Sequence, residues 1–210
     1  MRAPIFAALV GLTFVVASTA ADACTRSLPG QAERTLVPTQ RINQDLFDAA
    51  VRAEVNFHRC RAGLSKLNAA GNSLAREAKT HSTWMAKQQT LSHQNSIPGK
   101  GSLSQRVKAS GVRFRTGSEN IGMVHRFQID NRRFRILDSA SCKFSTYEGQ
   151  SLPAHNYASL ARHAVNLWMN SPGHRKNILD RRINRMSSAV AYDPDSPYCG
   201  QFYMTQNFVG

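Results

Sequence analysis

The first twenty-one residues set the conditions under which the rest of the chain must fold. Arg2 supplies a positive charge, the run from Ile5 through Val16 is almost wholly apolar, and small residues follow at Ala17, Ser18, Ala20 and Ala21. This is the layout of a secretory signal peptide, with cleavage near Ala20–Ala21, where small side chains suit a signal peptidase. The apolar run is too short for a membrane span, which needs about 20 residues. Ala21-Asp22-Ala23-Cys24 has the outline of a lipoprotein site, but Asp22 and the missing Leu argue against lipidation. The mature chain is therefore expected outside the cytoplasm, secreted or periplasmic, and no later segment is apolar enough to cross a membrane.

Export changes the reading of the cysteines. Cys24, Cys60, Cys142 and Cys199 are even in number and contain no C-x-x-C pair, so two disulfides are expected, with three pairings open. The net charge is +14, and removal of a leader whose only charge is Arg2 leaves +13. Such an excess favours anionic surroundings. Export points to an envelope surface, either lipid headgroups or wall polymer, and away from nucleic acid.

Periodicity places the elements. Residues 22–43 form an irregular arm holding Pro29, Gly30 and Pro38. Asn43 is a plausible N-cap for a helix to about Ala62, with Leu46, Phe47, Ala50, Val51 and Val55 on one face. A second helix follows Asn72 and runs to about Thr90, with Leu74, Ala78, Ser82, Met85 and Ala86 aligned. The stretch 92–101 reads as loop, and Ser102 or Ser104 caps a short helix closed by Gly111. Glu119 to Val124 begins a strand. Arg126 to Leu137 reads as a hairpin turning at Asp130-Asn131, with Phe127, Ile129, Phe134 and Ile136 on one face and Arg126, Arg133 and Arg135 on the other. A third helix spans about 156–170, Ser171-Pro172 opens a short fourth, and strands run over 187–192 and 201–208. Helices first and strands late predict an α+β layered domain with an antiparallel sheet. Trp84 and Trp168 read as core anchors, and His58 and His81 as surface or core-edge residues.

Four strings carry the chemistry. They are Asn56-x-x-Arg59-x-x-x-Gly63-Leu64-x-x-Leu67, then Leu91-Ser92-His93, then Glu119-Asn120-Ile121, then Trp168-Met169-Asn170-Ser171-Pro172-Gly173-His174-Arg175-x-Asn177-Ile178-Leu179. Their order and spacing resemble the CAP superfamily (cysteine-rich secretory, antigen 5 and pathogenesis-related 1 proteins) in its bacterial form, over residues 44–208. The resemblance implies a three-layer α-β-α sandwich over 44–210, with an insertion at about 123–155. It also implies a central cleft in which two His and two acidic residues can hold a divalent metal such as zinc. His93 and Glu119 match the first His and first Glu, and His174 matches the His that bacterial members carry after Ser-Pro-Gly. Ser171 stands where the second Glu is expected and Tyr203 where the second His is. Arg106 matches an Arg common in bacterial members and is expected to act as a structural hydrogen-bonding residue.

Chemistry supports a three-residue site. Two imidazoles and one carboxylate are suitable zinc ligands and leave a position for water. With Ser171 as N-cap, His174 is the third helical residue, where the helix dipole disfavours the imidazolium and keeps its lone pair free. The function expected is non-catalytic binding of an envelope surface or of a lipid or other small apolar ligand. One alternative is a metal-dependent hydrolase of peptidase type, using His93, Glu119 and His174. The other is an electrostatic binder of anionic lipid or wall polymer. No His-Glu-x-x-His, no Gly-x-Ser-x-Gly and no evident nucleophile with an adjacent base appears in the chain.

Overall fold

The computed structural model describes residues 24–210, so the leader expected over 1–21 lies outside the described residues. Five helices and six strands follow in the order α1 (Gln44–Arg61), β1 (Asn68–Ala69), α2 (Asn72–Gln88), α3 (Leu103–Ala109), β2 (Gly117–His125), β3 (Arg135–Asp138), β4 (Lys143–Ser145), α4 (Tyr157–Asn170), α5 (Pro172–Ile178), β5 (Arg185–Asp193) and β6 (Gln201–Val209). The central sheet has the order β1-β5-β6-β2. Its three long strands pair antiparallel as expected, whereas the two-residue edge strand β1 runs parallel to β5.

Alternation along β6 divides the interior into layers. Phe202, Met204 and Phe208 turn to one face and pack with Phe47, Val51 and Val55 of α1 and Leu160, Val165 and Trp168 of α4. The intervening residues meet α2: Val209 packs with Leu74, and Tyr203 with Met85 and Ala86. Ser82 Oγ hydrogen-bonds Thr205 Oγ1 at 2.9 Å. The result is an α-β-α sandwich. Each large apolar side chain buried in this way contributes roughly 1.5–3 kcal/mol.

Local signals set the helix ends. Asn43 Oδ1 accepts from Leu46 N at 3.0 Å, and Asn156 Oδ1 accepts from Ser159 N at 2.7 Å. Ser102, rather than Ser104, caps α3 in a reciprocal box with Gln105. Ser171 is the N-cap of α5 by position, but its side chain makes no capping bond. The N-terminal arm lacks regular structure and is nonetheless docked. Ala32 and Val37 are buried, and Cys24 is disulfide-bonded to Cys60 at the end of α1.

The segment expected as an insertion departs from the sequence reading. Residues 126–137 do not form a hairpin about Asp130-Asn131. Instead, the Asp130 carboxylate accepts from the His125 backbone N–H at 3.0 Å and lies 2.6 Å from His125 Nδ1, folding the segment back onto the end of β2. The hairpin lies further on, β3 against β4, and Cys142 in its turn is bonded to Cys199. Ile129 enters a small core with Phe144 and Leu152, while Ile136 stays exposed. The three arginines do not share a face either. Arg126 lies over Phe127, whereas Arg133 and Arg135 both lie over Tyr147.

The Cys142–Cys199 bond closes a sequence separation of 57. Loop-closure entropy for such a span has an upper value of about 4 kcal/mol. Replacing both cysteines by Ser is expected to lower the urea unfolding free energy by about 2–4 kcal/mol and to speed amide exchange in β3 and β4 selectively. Uniform exchange rates across the chain, with unchanged stability, would show that the cross-link anchors nothing.

Candidate functional site

The site forms over the outer edge of β2, which is paired to β6 on its other side only. Glu119 projects toward α2 and α3 and is 5% exposed. Arg106, in the middle of α3 and fully buried, brings Nη2 to 2.9 Å from Glu119 Oε1 and 2.7 Å from Oε2. The same guanidinium donates to the carbonyls of Lys100, Gly101 and His93 at 3.1–3.2 Å. One buried side chain thereby neutralises Glu119 and holds both ends of the 93–101 loop. Arg106 has the structural role expected for it.

That loop delivers His93. Its Nδ1 lies 2.9 Å from Glu119 Oε1, and about half of the side chain is exposed. An ionised carboxylate can only accept, so Nδ1 carries a proton, and in the neutral ring the lone pair is on Nε2. His174 reaches the same region from α5. Its carbonyl accepts from Asn120 Nδ2 at 3.3 Å, which fixes α5 against β2, and partial burial lowers the pKa of its ring. Of the three residues singled out in the sequence, His93 and Glu119 are in contact, and His174 is tied to the same strand through its carbonyl. Of the two replacements, Ser171 begins α5, and Tyr203 is buried beside Met85 and Ile121.

Other side chains build the edge on which His174 stands. Asn177 Nδ2 donates to the Glu119 carbonyl at 3.2 Å and to Asn120 Oδ1 at 2.9 Å. Asn120 Nδ2 in turn donates to the His174 carbonyl and to Gln206 Oε1. Trp168 Nε1 donates to the Ile121 carbonyl at 2.9 Å, and Trp168 is a core anchor as expected. Gly122 leaves room beneath it: a Cβ there would come within 3.1 Å of Trp168 Nε1, so a larger residue would press on the indole.

Two aromatic residues correct the sequence reading. His81 is fully buried, 3.9 Å from Glu119 Oε1, rather than at the surface or core edge. Asn95 Nδ2 donates to its Nδ1 at 2.9 Å, and burial lowers its pKa to about 4. His81 is neutral at pH 7, so its approach to Glu119 is not an ion pair. Its position was legible: Leu74, Ala78, His81, Ser82 and Met85 recur at helical spacing, and all five are buried. Trp84 is the reverse case. It is only half-buried, donating Nε1 to Ser96 Oγ at 3.1 Å, and it walls an apolar groove of about 360 Å³ with Ile97 and Thr83.

Among the described residues, no group of three or more His, Cys, Asp or Glu side chains is arranged to hold a metal ion. The reason is visible at Glu119, whose oxygens already accept from Arg106 and His93. The fit to a divalent cation is partial. His93 Nε2 and the His174 ring are available, with Glu119 behind His93 as the carboxylate that orients it.

The architecture is seen in solved bacterial proteins. An extracellular protein containing an SCP domain from Bacillus anthracis superimposes with a TM-score of 0.52 at 24% identity, covering 79% of this chain and 41% of that one. An outer surface protein from Borrelia burgdorferi gives 0.50 at 13% identity, covering 76% and 89%. This chain thus spans about two fifths of the length of the first, and at these identities the likeness is one of fold. A search of curated proteins returned no match. Residues 52–208 match the cysteine-rich secretory protein family (CAP), and the chain belongs to that family.

Buried neutral histidines make stability depend on acid. Unfolded His takes a proton near pH 6.5, whereas folded His81, and likewise buried His155, resist until about 4. Between these values the unfolded state binds more protons, so stability falls as pH drops from about 6.5 toward 4 and levels off below. Each residue is expected to contribute a loss on the order of a few kcal/mol. Urea unfolding at pH 7, 5.5 and 4.5 should show this slope in the wild type and a shallower one in His81→Gln. Equal slopes in the two proteins would place His81 in contact with water.

Proposed function

We propose that this is an extracellular binding protein, and that the cleft over the β2 edge takes up its ligand through His93 and His174 without catalysing a reaction. The observation that carries this reading is the state of Glu119. A carboxylate whose two oxygens already accept from a buried guanidinium and an imidazole has little acceptor capacity left for a substrate proton or a metal. The exposed imidazole of His93 and the partly buried one of His174 are the groups left to meet a ligand. Two disulfides, and the extracellular and outer-surface descriptions of the structural neighbours, support an address outside the cytoplasm.

A divalent cation such as zinc is one ligand for this pair. His93 and His174 would hold it, Glu119 would fix the ring of His93, and the metal would supply Lewis acidity to whatever oxygen or nitrogen group it met. With two protein ligands in place of four, affinity is low, and it falls in acid, where a proton displaces the metal from an imidazole. For His174 this happens below the ordinary histidine value, because burial lowers its pKa. A small apolar ligand is the second reading, favoured by the groove beside Trp84 and Ile97, whose lining is mostly apolar.

Zinc titration of metal-free protein tests the proposal. Binding should weaken by about tenfold or more in His93→Ala and in His174→Ala. No peptide cleavage should accompany it. Equal affinity in all three proteins removes the shared site, and cleavage abolished by either substitution would establish the hydrolase instead.

A further inference from the structure

The most exposed apolar surface lies far along the chain from the cleft residues. Seven large hydrophobic side chains are exposed among the described residues, and four of them lie between residues 136 and 147 or in the turn disulfide-bonded to that stretch. Ile136 and Leu137 are adjacent on β3, 52% and 63% exposed, with Tyr147 and Tyr198 at 48% and 43%. Scattered exposed side chains need no account, but this grouping on one small excursion is not scatter.

The excursion is rigid rather than loose. Phe144 is buried, and Phe127, Phe134 and Tyr198 stand around it in edge contacts with centroids 5.1–6.4 Å apart. The Cys142–Cys199 bond ties the β3–β4 turn to the segment before β6. Leu137 is passed over by the register between Ile136 and Asp138, and this irregularity turns it out of the ladder. Two aliphatic side chains are thus held in water by a framework that gains nothing internal from them.

Charge lies on the same excursion. Arg133 and Arg135 lie over the Tyr147 ring at 5.2 and 4.9 Å, and neither makes an ion pair. The excursion's acids are partly engaged: Asp138 accepts from the backbone of Ala140 and Ser141, and Glu148 lies near Arg135. Adjacent aliphatic side chains, two tyrosines and two unpaired arginines on a fixed base match the chemistry of a bilayer interface. Aliphatic groups enter the acyl boundary, tyrosines sit at headgroup level, and arginines meet phosphate.

We propose that the β3–β4 excursion docks this protein onto an anionic lipid surface, with Ile136 and Leu137 entering the interface and Arg133 and Arg135 contacting headgroup phosphates. The site is independent of the cleft and stands or falls without it.

Co-sedimentation of the mature, disulfide-intact chain with phosphatidylglycerol-rich vesicles, beside pure phosphatidylcholine vesicles, is the test. Binding is expected to the anionic vesicles. The Ile136→Ser/Leu137→Ser pair should weaken it about tenfold at low and high salt alike. The Arg133→Glu/Arg135→Glu pair should weaken it by a similar factor at low salt and much less at high salt. In the wild type, added vesicles should slow amide exchange over residues 133–147, a readout that does not depend on the variants folding. Four results would overturn the proposal: no pelleting of the wild type, full binding by the Ser pair, capture by soluble polyphosphate that the Ser pair leaves intact without vesicle binding, or a dimer that the Ser pair dissolves.

Discussion

The contact between Arg106 and Glu119 organises this end of the molecule. Neither side chain is exposed by more than a few per cent, so each charge is out of water and depends on the other. The guanidinium does more than balance a charge, because it also gathers the carbonyls of His93, Lys100 and Gly101. It thereby fixes the loop between α2 and α3 against β2. The exposed ring of His93 is placed by a buried arginine that would never touch a ligand. Breaking such a pair from one side leaves an uncompensated buried charge, which typically costs about 3–5 kcal/mol.

Edge protection gives the site its second wall. The outward carbonyls of Glu119 and Ile121 would be open to another strand, and Asn177 and Trp168 occupy them. The opposite edge is treated alike. Beyond the two residues paired to β1, the Val190 backbone exchanges two hydrogen bonds with the Gln44 side chain, and Ser188 N–H donates to Asp48 Oδ1. Side chains from helices therefore finish a sheet whose central strand β6 is covered on both faces. The helix that caps the β2 edge also brings His174 to it. Fold protection and site construction are the same set of contacts.

Much of this was legible in the sequence, for identifiable reasons. Asn43, Asn156 and Ser102 announced helix starts because a capping side chain acts within three residues. The Ser-Pro-Gly-His string placed α5. What the sequence concealed depends on distant partners. The helical spacing puts His81 on the buried face of α2 but does not show its partners Glu119 and Asn95, which come from elsewhere in the chain. Asp130 has the chemistry of a turn residue, yet His125 captures it and moves the hairpin to residues 135–145. The availability of Glu119 could not be seen either, because only the fold shows Arg106 engaging both of its oxygens.

The central claim is that Glu119 serves as the internal partner of Arg106 rather than as a free carboxylate of the cleft. A double-mutant cycle on unfolding free energy at pH 7, with Arg106→Met, Glu119→Gln and the combined variant, measures this directly. Strong coupling is predicted: each single change destabilises by about 3–5 kcal/mol, and the pair together loses clearly less than the sum. Additive losses, or a Glu119→Gln protein as stable as the wild type, would contradict the account and return Glu119 to the cleft as a free carboxylate.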